Sequence, residues 1–217
     1  MKIFIPIKEN SQRVPNKNFR ELSGCPLYKH TLLKLKNFEV YVDTDSEHII
    51  REIREDERLR NVNVFRRKRF LEGDKTSVCR LIQEWISDYD IQGVVCQLHV
   101  TSPFLKVETL ERARKLIDTG YDSIVSANRI QARFWREETY GFCPVNHNPT
   151  RLQQTQDLPV YYEENSLFYL FKSENFVRTN MRIGENPFFY TCSFPENIDI
   201  DTEDDWEMAT LMAVKSI

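Results

Sequence analysis

The chain has 217 residues, 41% hydrophobic and 29% charged, enough apolar material for one sizeable core and too much for a fibrous or disordered protein. Thirty Lys plus Arg against 33 Asp plus Glu leave a net charge of -3, so no overall field draws the protein to nucleic acid and any polyanion site must be local. No apolar stretch approaches the ~18 residues of a membrane span, and the run before Lys8 is too short for a signal peptide, so no membrane association and a cytoplasmic location are expected.

KIFIPI, from residue 2, reads as a buried strand, and FEVYVDT, NVNVF, GVVCQLHV and DSIVSA read the same way. Between them lie helical faces: Ile49, Ile50 and Ile53; then Val78, Leu81, Ile82, Trp85, Ile86 and Tyr89; then Val107, Leu110, Ala113 and Ile117. Strand and helix taking turns predicts an α/β fold, a mostly parallel sheet flanked by helices on both faces, with ligands bound beyond the carboxyl ends of its strands. The pattern lapses over 128–159, which is polar, aromatic and Arg-rich, and too long for an ordinary connection. We expect one domain over 1–217 with 128–159 as an excursion. YYEENSLFYLF and FFYTCSF look like further strands, and Trp206, Ala209, Thr210 and Ala213 mark a closing helix. The five cysteines are dispersed without a CxxC pair and are expected to be free thiols, Cys96 in the core. His30, His48 and His147 are scattered and expected to be structural or solvated.

The first strand runs into KENSQRVPNKNFR, which holds Lys8, Arg13, Lys17 and Arg20. Cations at the carboxyl end of a parallel strand suit a polyphosphate, although a solvated basic loop has the same composition. The loop has no glycine, so it is not a P-loop, and side chains must supply the charge.

The order of residues is more specific than their charge. S-Q-R-V-P-N-K-N at 11–18 resembles the S-K-R-x-P-x-K-N signature of the acylneuraminate (CMP-sialic acid) and CMP-Kdo cytidylyltransferases. The resemblance continues in register through VDTDSEHI (42–49), RKRFLEGD (67–74) with Thr76 and Ser77, HVTSPFL (99–105), QDLPVYYEENSLFY (156–169, against Q-D-L-P-P-V-Y-x-E-N-G-A-x-Y) and ENIDIDTEDDWEMA (196–209). It implies a Rossmann-like nucleotidyltransferase of three α/β/α layers, transferring CMP from CTP to a hydroxyl of an acidic sugar with release of pyrophosphate. It implies further that 128–159 builds a homodimer and that magnesium bridges Asp199, Asp201 and the nucleotide. On this reading Lys8, Arg13 and Lys17 hold the polyphosphate, with hydrogen bonds from Ser11 and Asn18, while Arg67, Thr76 and His99 surround base and ribose. Arg151, Gln156, Tyr162, Glu164 and Asn165 are the candidates for the anionic acceptor. Three departures stand out: Lys8 replaces an Arg, His99 a Gln that helps to recognise cytosine, and Gln154 and Thr155 the basic pair that handles the acidic sugar. Arg151 is the nearest replacement for that pair, so an unusual anion is the expected acceptor and N-acetylneuraminate a poor one.

The carboxylates can be weighed on their own. Asp199 and Asp201 alternate with Ile198 and Ile200, which predicts two side chains on one strand face that repel unless a cation lies between them. Thr202 to Asp205 fits a capping box for the closing helix. Asp43 and Asp45 repeat the spacing, but a helix start follows at once and a structural role is expected. The run Arg66 to Arg69 is expected to be a surface turn with Arg67 directed at the nucleotide. A homologue that binds nucleotide without turnover, a transferase using another base and a nucleic-acid binder using Arg66 to Arg69 remain as alternatives.

Overall fold

A computed structural model of the chain describes residues 1–214. In chain order it has β1 (Lys2–Ile7), the short strands β2 (Glu21–Leu22) and β3 (Cys25–Pro26), α1 (Leu27–Lys34), β4 (Glu39–Thr44), α2 (Glu47–Glu55), β5 (Val62–Arg66), α3 (Val78–Asp88), β6 (Val94–Leu98), α4 (Val107–Ile117) and β7 (Ser123–Ile130). There follow β8 (Trp135–Glu138), β9 (Gly141–Pro144), β10 (Tyr161–Lys172), α5 (Ser173–Thr179), β11 (Pro187–Thr191) and α6 (Glu203–Val214).

Strand β1 lies at the centre because it is apolar on both faces. Ile3, Ile5 and Ile7 point to one side and pack with Tyr28 and Leu32 of α1, Ile49 and Ile53 of α2, and Leu110, Ala113 and Ile117 of α4. Phe4 points to the other and stacks on Trp85 of α3, ring centroids 4.8 Å apart. Each such fully buried side chain contributes roughly 1.5–3 kcal/mol, and the two-sided burial produces helix, sheet and helix layers. The seven-stranded sheet runs β11-β7-β10-β6-β1-β4-β5. Strand β10 is antiparallel to both its neighbours, and the other pairs are parallel. Ser46 caps α2 by accepting from Ile49 N, and Ser77 caps α3 by accepting from Arg80 N.

Four details differ from expectation. Helices α1 and α5 are not among the expected elements: α1 has only eight residues with Thr31 among its buried positions, and α5 has only seven. FFYTCSF is a strand only to Thr191. Asn197–Asp201 is an irregular segment rather than a strand, held by a bond from Ile200 N to Thr101 O at 2.9 Å. The excursion contains a hairpin of β8 and β9 that leaves Trp135, Tyr140 and Phe142 exposed. Among the described residues no helix is long and apolar enough to cross a membrane.

Strand β10 also shifts register between Glu164 and Tyr169, with Ser166 at φ 57. That irregularity turns Asn165 and Ser166 toward the carboxyl ends of the parallel strands, where the candidate site lies.

Candidate active site

The loop after β1 is folded back on itself by its own polar groups. Val14 is fully buried as its anchor, Asn18 Nδ2 donates to Lys8 O at 2.7 Å, and Glu9 N donates to Asp45 Oδ1 at 2.7 Å. The result is a cavity of about 230 Å³ lined by Lys8, Ser11, Arg13, Lys17, Asn18 and His99, so six of the expected nucleotide residues converge. Asp74 closes one side, meeting Lys8 Nζ at 3.1 Å and Gln12 Nε2 at 2.5 Å. The Lys8–Asp74 pair is exposed, the kind of ion pair worth under about 1 kcal/mol, and a polyphosphate can displace it.

The carboxylates stand beside this cavity. Ile198 and Ile200 are buried with Leu22, Leu27 and Trp206, so the alternation turns Asp199 and Asp201 the other way, although the segment is not a strand. Both line a second cavity of about 400 Å³, with Asn128, Glu164, Asn165 and Asn197. Asp201 Oδ1 accepts from Arg13 Nη2 at 2.8 Å and from Lys17 Nζ at 3.4 Å, while Lys17, 9% exposed, also donates to Ile200 O at 2.6 Å. The cationic and carboxylate cavities therefore join at Asp201. Burial raises the Asp199 carboxyl above its ordinary range; a hydrogen bond from Thr101 lowers it and the Asp201 charge raises it again. Its Oδ1 is buried without a partner, an oxygen that a hard cation would satisfy. Among the described residues no cluster of three or more His, Cys, Asp or Glu side chains is placed to hold a metal, so such a cation would need ligand oxygens as well. Behind them Asp205 Oδ2 accepts from Thr202 N at 2.8 Å and Thr202 Oγ1 accepts from Asp205 N at 3.2 Å, the reciprocal capping box that starts α6.

Arg67 is not the surface residue expected. It is 2% exposed and turned inward, where Nε donates to Asp43 Oδ1 and Nη2 to Asp43 O at 3.2 Å, and it is not among the residues that line the nucleotide cavity. Burial raises the Asp43 carboxyl and Arg67 lowers it; the pair ties the carboxyl end of β4 to the segment after β5. Thr76 is half-buried just before α3, outside the residues that line either cavity. Of the acceptor candidates, Glu164 and Asn165 face Asp199, whereas Arg151, Gln156 and Tyr162 are exposed and line neither cavity. Sequence reasoning did not single out Gln12, Asp74, Thr101 and Asn197, polar residues that loops bring in, or Asn128 near the end of β7. It also missed Gln97 and Arg182, which stand behind His99. Burial, together with the positive charge of Arg182, pushes the His99 pKa down to about 4. A groove of about 670 Å³ between α3 and α5 lies by Gln92, at the amino end of β6 and away from this chemistry.

The family model described as Cytidylyltransferase matches residues 3–211. The chain belongs to the cytidylyltransferase family. N-acylneuraminate cytidylyltransferase A of Danio rerio is 30% identical over 208 residues, covering 92% of this chain and 47% of that protein. The N-acylneuraminate cytidylyltransferase of Streptococcus agalactiae serotype V is 26% identical, with 93% and 50% covered, so the chain spans about half the length of these curated relatives. CMP-N,N'-diacetyllegionaminic acid synthase of Legionella pneumophila is matched over nearly its whole length, 29% identical with 94% of this chain and 92% of that protein covered. Among solved structures, CMP:2-keto-3-deoxy-manno-octonic acid synthetase complexed with CTP superposes with a TM-score of 0.67 at 15% identity, covering 99% of this chain and 98% of that one. The chain thus has the expected α/β fold, and its cationic loop occupies the end of the sheet where such a fold binds ligands.

Proposed function

We propose that the protein transfers CMP from CTP to a hydroxyl of an acidic sugar, releasing pyrophosphate. One observation carries the reading: Asp201 joins a cationic cavity that suits a triphosphate to a carboxylate-lined cavity that suits a hydroxylated acceptor. Lys8, Arg13 and Lys17 bind the β and γ phosphates and offset charge on the leaving pyrophosphate, with Ser11 and Asn18 beside them. Asp199 and Asp201 would hold magnesium, which when bound polarises the α-phosphoryl oxygens. Asn128, Glu164, Asn165 and Asn197 orient the acceptor hydroxyls; most of the rate enhancement comes from positioning and charge neutralisation.

Among the described residues no Lys or Arg lines the acceptor cavity. An anionic acceptor therefore needs a cation from elsewhere, and Arg151 sits on the excursion, where it is exposed. The exposed Trp135, Tyr140 and Phe142 make the same excursion suitable for burial against a second copy, so a homodimer that completes the acceptor site is part of the proposal, as is a cytoplasmic location. The 1–217 chain acts as one nucleotidyltransferase domain in it. A thermal-shift comparison of CTP and CMP, each with and without magnesium, tests the site. CTP with magnesium is expected to raise the melting point most, because ligand bound only to the native state stabilises it. Equal shifts from CTP and CMP would contradict a triphosphate cradle.

A further inference from the structure

The groove of about 670 Å³ between α3 and α5 is larger than either cavity of the active site and lies at the other end of the sheet, by the amino end of β6. Its floor is apolar and continuous with the core through Ile86, Ile91 and Phe176, and Val177 stands 69% exposed at its edge. An apolar floor with a few convergent polar groups, at this volume, is the usual form of a small-molecule site. Its charge is one-sided: Asp90 and Glu174 line it, and among the described residues no Lys or Arg does. The preceding acids of α3 are neutralised, since Lys68 Nζ lies 3.0 Å from Glu84 and 2.7 Å from Asp88. Asp90 and Glu174 instead meet neutral donors. Asp90 Oδ1 accepts from Gln92 Nε2 at 2.9 Å and Glu174 Oε1 from Gly93 N at 3.2 Å, so each carboxylate is fixed beside the turn into β6 through one of its two oxygens. Ser173, the first residue of α5, is an independent sign. It lines the groove at 1% exposure and its Oγ has no hydrogen-bond partner, a rare state for a buried hydroxyl and one that a polar ligand in the groove relieves.

We infer that this groove binds a small organic cation, an ammonium group on an aliphatic body, at a site separate from the proposed transferase centre. The ammonium N–H groups meet the second oxygens of Asp90 and Glu174, in charge-assisted bonds stronger than neutral ones, while the aliphatic body lies on Ile86, Ile91 and Phe176. The same carboxylates repel an anion, and an uncharged molecule of equal length gains only the apolar contact. The inference goes beyond the proposed transfer reaction and does not rest on it.

Three probes with the same aliphatic body separate charge from apolar contact: hexylammonium, 1-hexanol and hexanoate. Isoleucine-methyl NMR of the full chain at neutral pH reads them, with the signals assigned by their loss in Ile86→Leu, Ile91→Leu and Ile198→Leu. Hexylammonium should shift Ile86 and Ile91 and leave Ile198, in the acceptor cavity, in place. It should bind about tenfold or more tightly than 1-hexanol, the usual worth of a charge-assisted bond, and hexanoate should not bind measurably. Asp90→Asn combined with Glu174→Gln removes both charges but keeps the acceptors for Gln92 and Gly93, and asparagine tolerates the left-handed φ of 46 at position 90. In that variant hexylammonium and 1-hexanol should bind within about twofold of each other. Val177→Arg, at an exposed position, brings a guanidinium to the groove and should weaken hexylammonium by about tenfold. Wild-type protein that binds hexylammonium no better than 1-hexanol, or binds neither, would overturn the inference, as would a preference unchanged in the double variant or shifts at Ile198 alone. A protein that fails to bind CTP would overturn the proposed transferase site and leave this result standing.

Discussion

The buried pair of Asp43 and Arg67 separates a structural account of this arginine from a ligand-binding one. Asp43 is 3% exposed and Arg67 2%, and Arg67 Nη1 is already buried without a partner. Removing the carboxylate would leave a guanidinium charge out of reach of water, which costs about 3–5 kcal/mol when one partner of such a pair is lost. In a protein of this size 1 kcal/mol lowers Tm by about 2–4 °C, so Asp43→Leu should lower it by roughly 6–20 °C. Arg67→Met should lie toward the milder end, because a carboxyl already pushed up by burial can take a proton and become neutral. The double variant, apolar at both positions, should recover most of the loss. Circular-dichroism melts of the three variants read the stability, and calorimetric titration with CTP at 15 °C reads the site. An Arg67→Met protein that melts within about 2 °C of wild type yet has lost CTP affinity would refute the reasoning and return Arg67 to the nucleotide site.

Asp201→Asn should lower magnesium-dependent turnover by more than about tenfold in a steady-state assay, since it removes a transition-state contact and the partner of Arg13 and Lys17. Lys17→Ala should weaken CTP much more than CMP by calorimetry, because only the triphosphate extends to the β and γ positions. Ser166→Gly should raise the urea midpoint, by up to about 1 kcal/mol in stability, because φ 57 strains a residue with a Cβ. Asp56, held by Arg58 and Lys29, has a carboxyl well below its ordinary range; its stabilisation is present above about pH 4 and is lost as pH falls further, so urea midpoints of wild type and Asp56→Asn should converge in acid.

Much of the sheet was legible because burial on both faces writes apolar runs into β1, β4 and β6, and because Ser46 and Ser77 mark helix starts. The direction of β10 was not legible, since an apolar strand has the same composition whichever way it runs. The cationic loop was legible by order: Lys8, Ser11, Arg13, Lys17 and Asn18 do converge. The alternation around Asp199 and Asp201 correctly placed both on one side, but strand pairing needs a neighbour that only the fold reveals. The burial of Arg67 was not legible for a related reason: a basic run reads as surface, and its burial depends on Asp43, 24 positions upstream.

The central claim is turnover, and pyrophosphate release measures it directly. Purified protein with CTP, magnesium and a panel of acidic nine- and eight-carbon sugars should release pyrophosphate with at least one of them and form the matching CMP-sugar, more slowly with N-acetylneuraminate than with a better-fitting anion. No pyrophosphate above the rate without acceptor, from protein shown to bind CTP, would contradict the account.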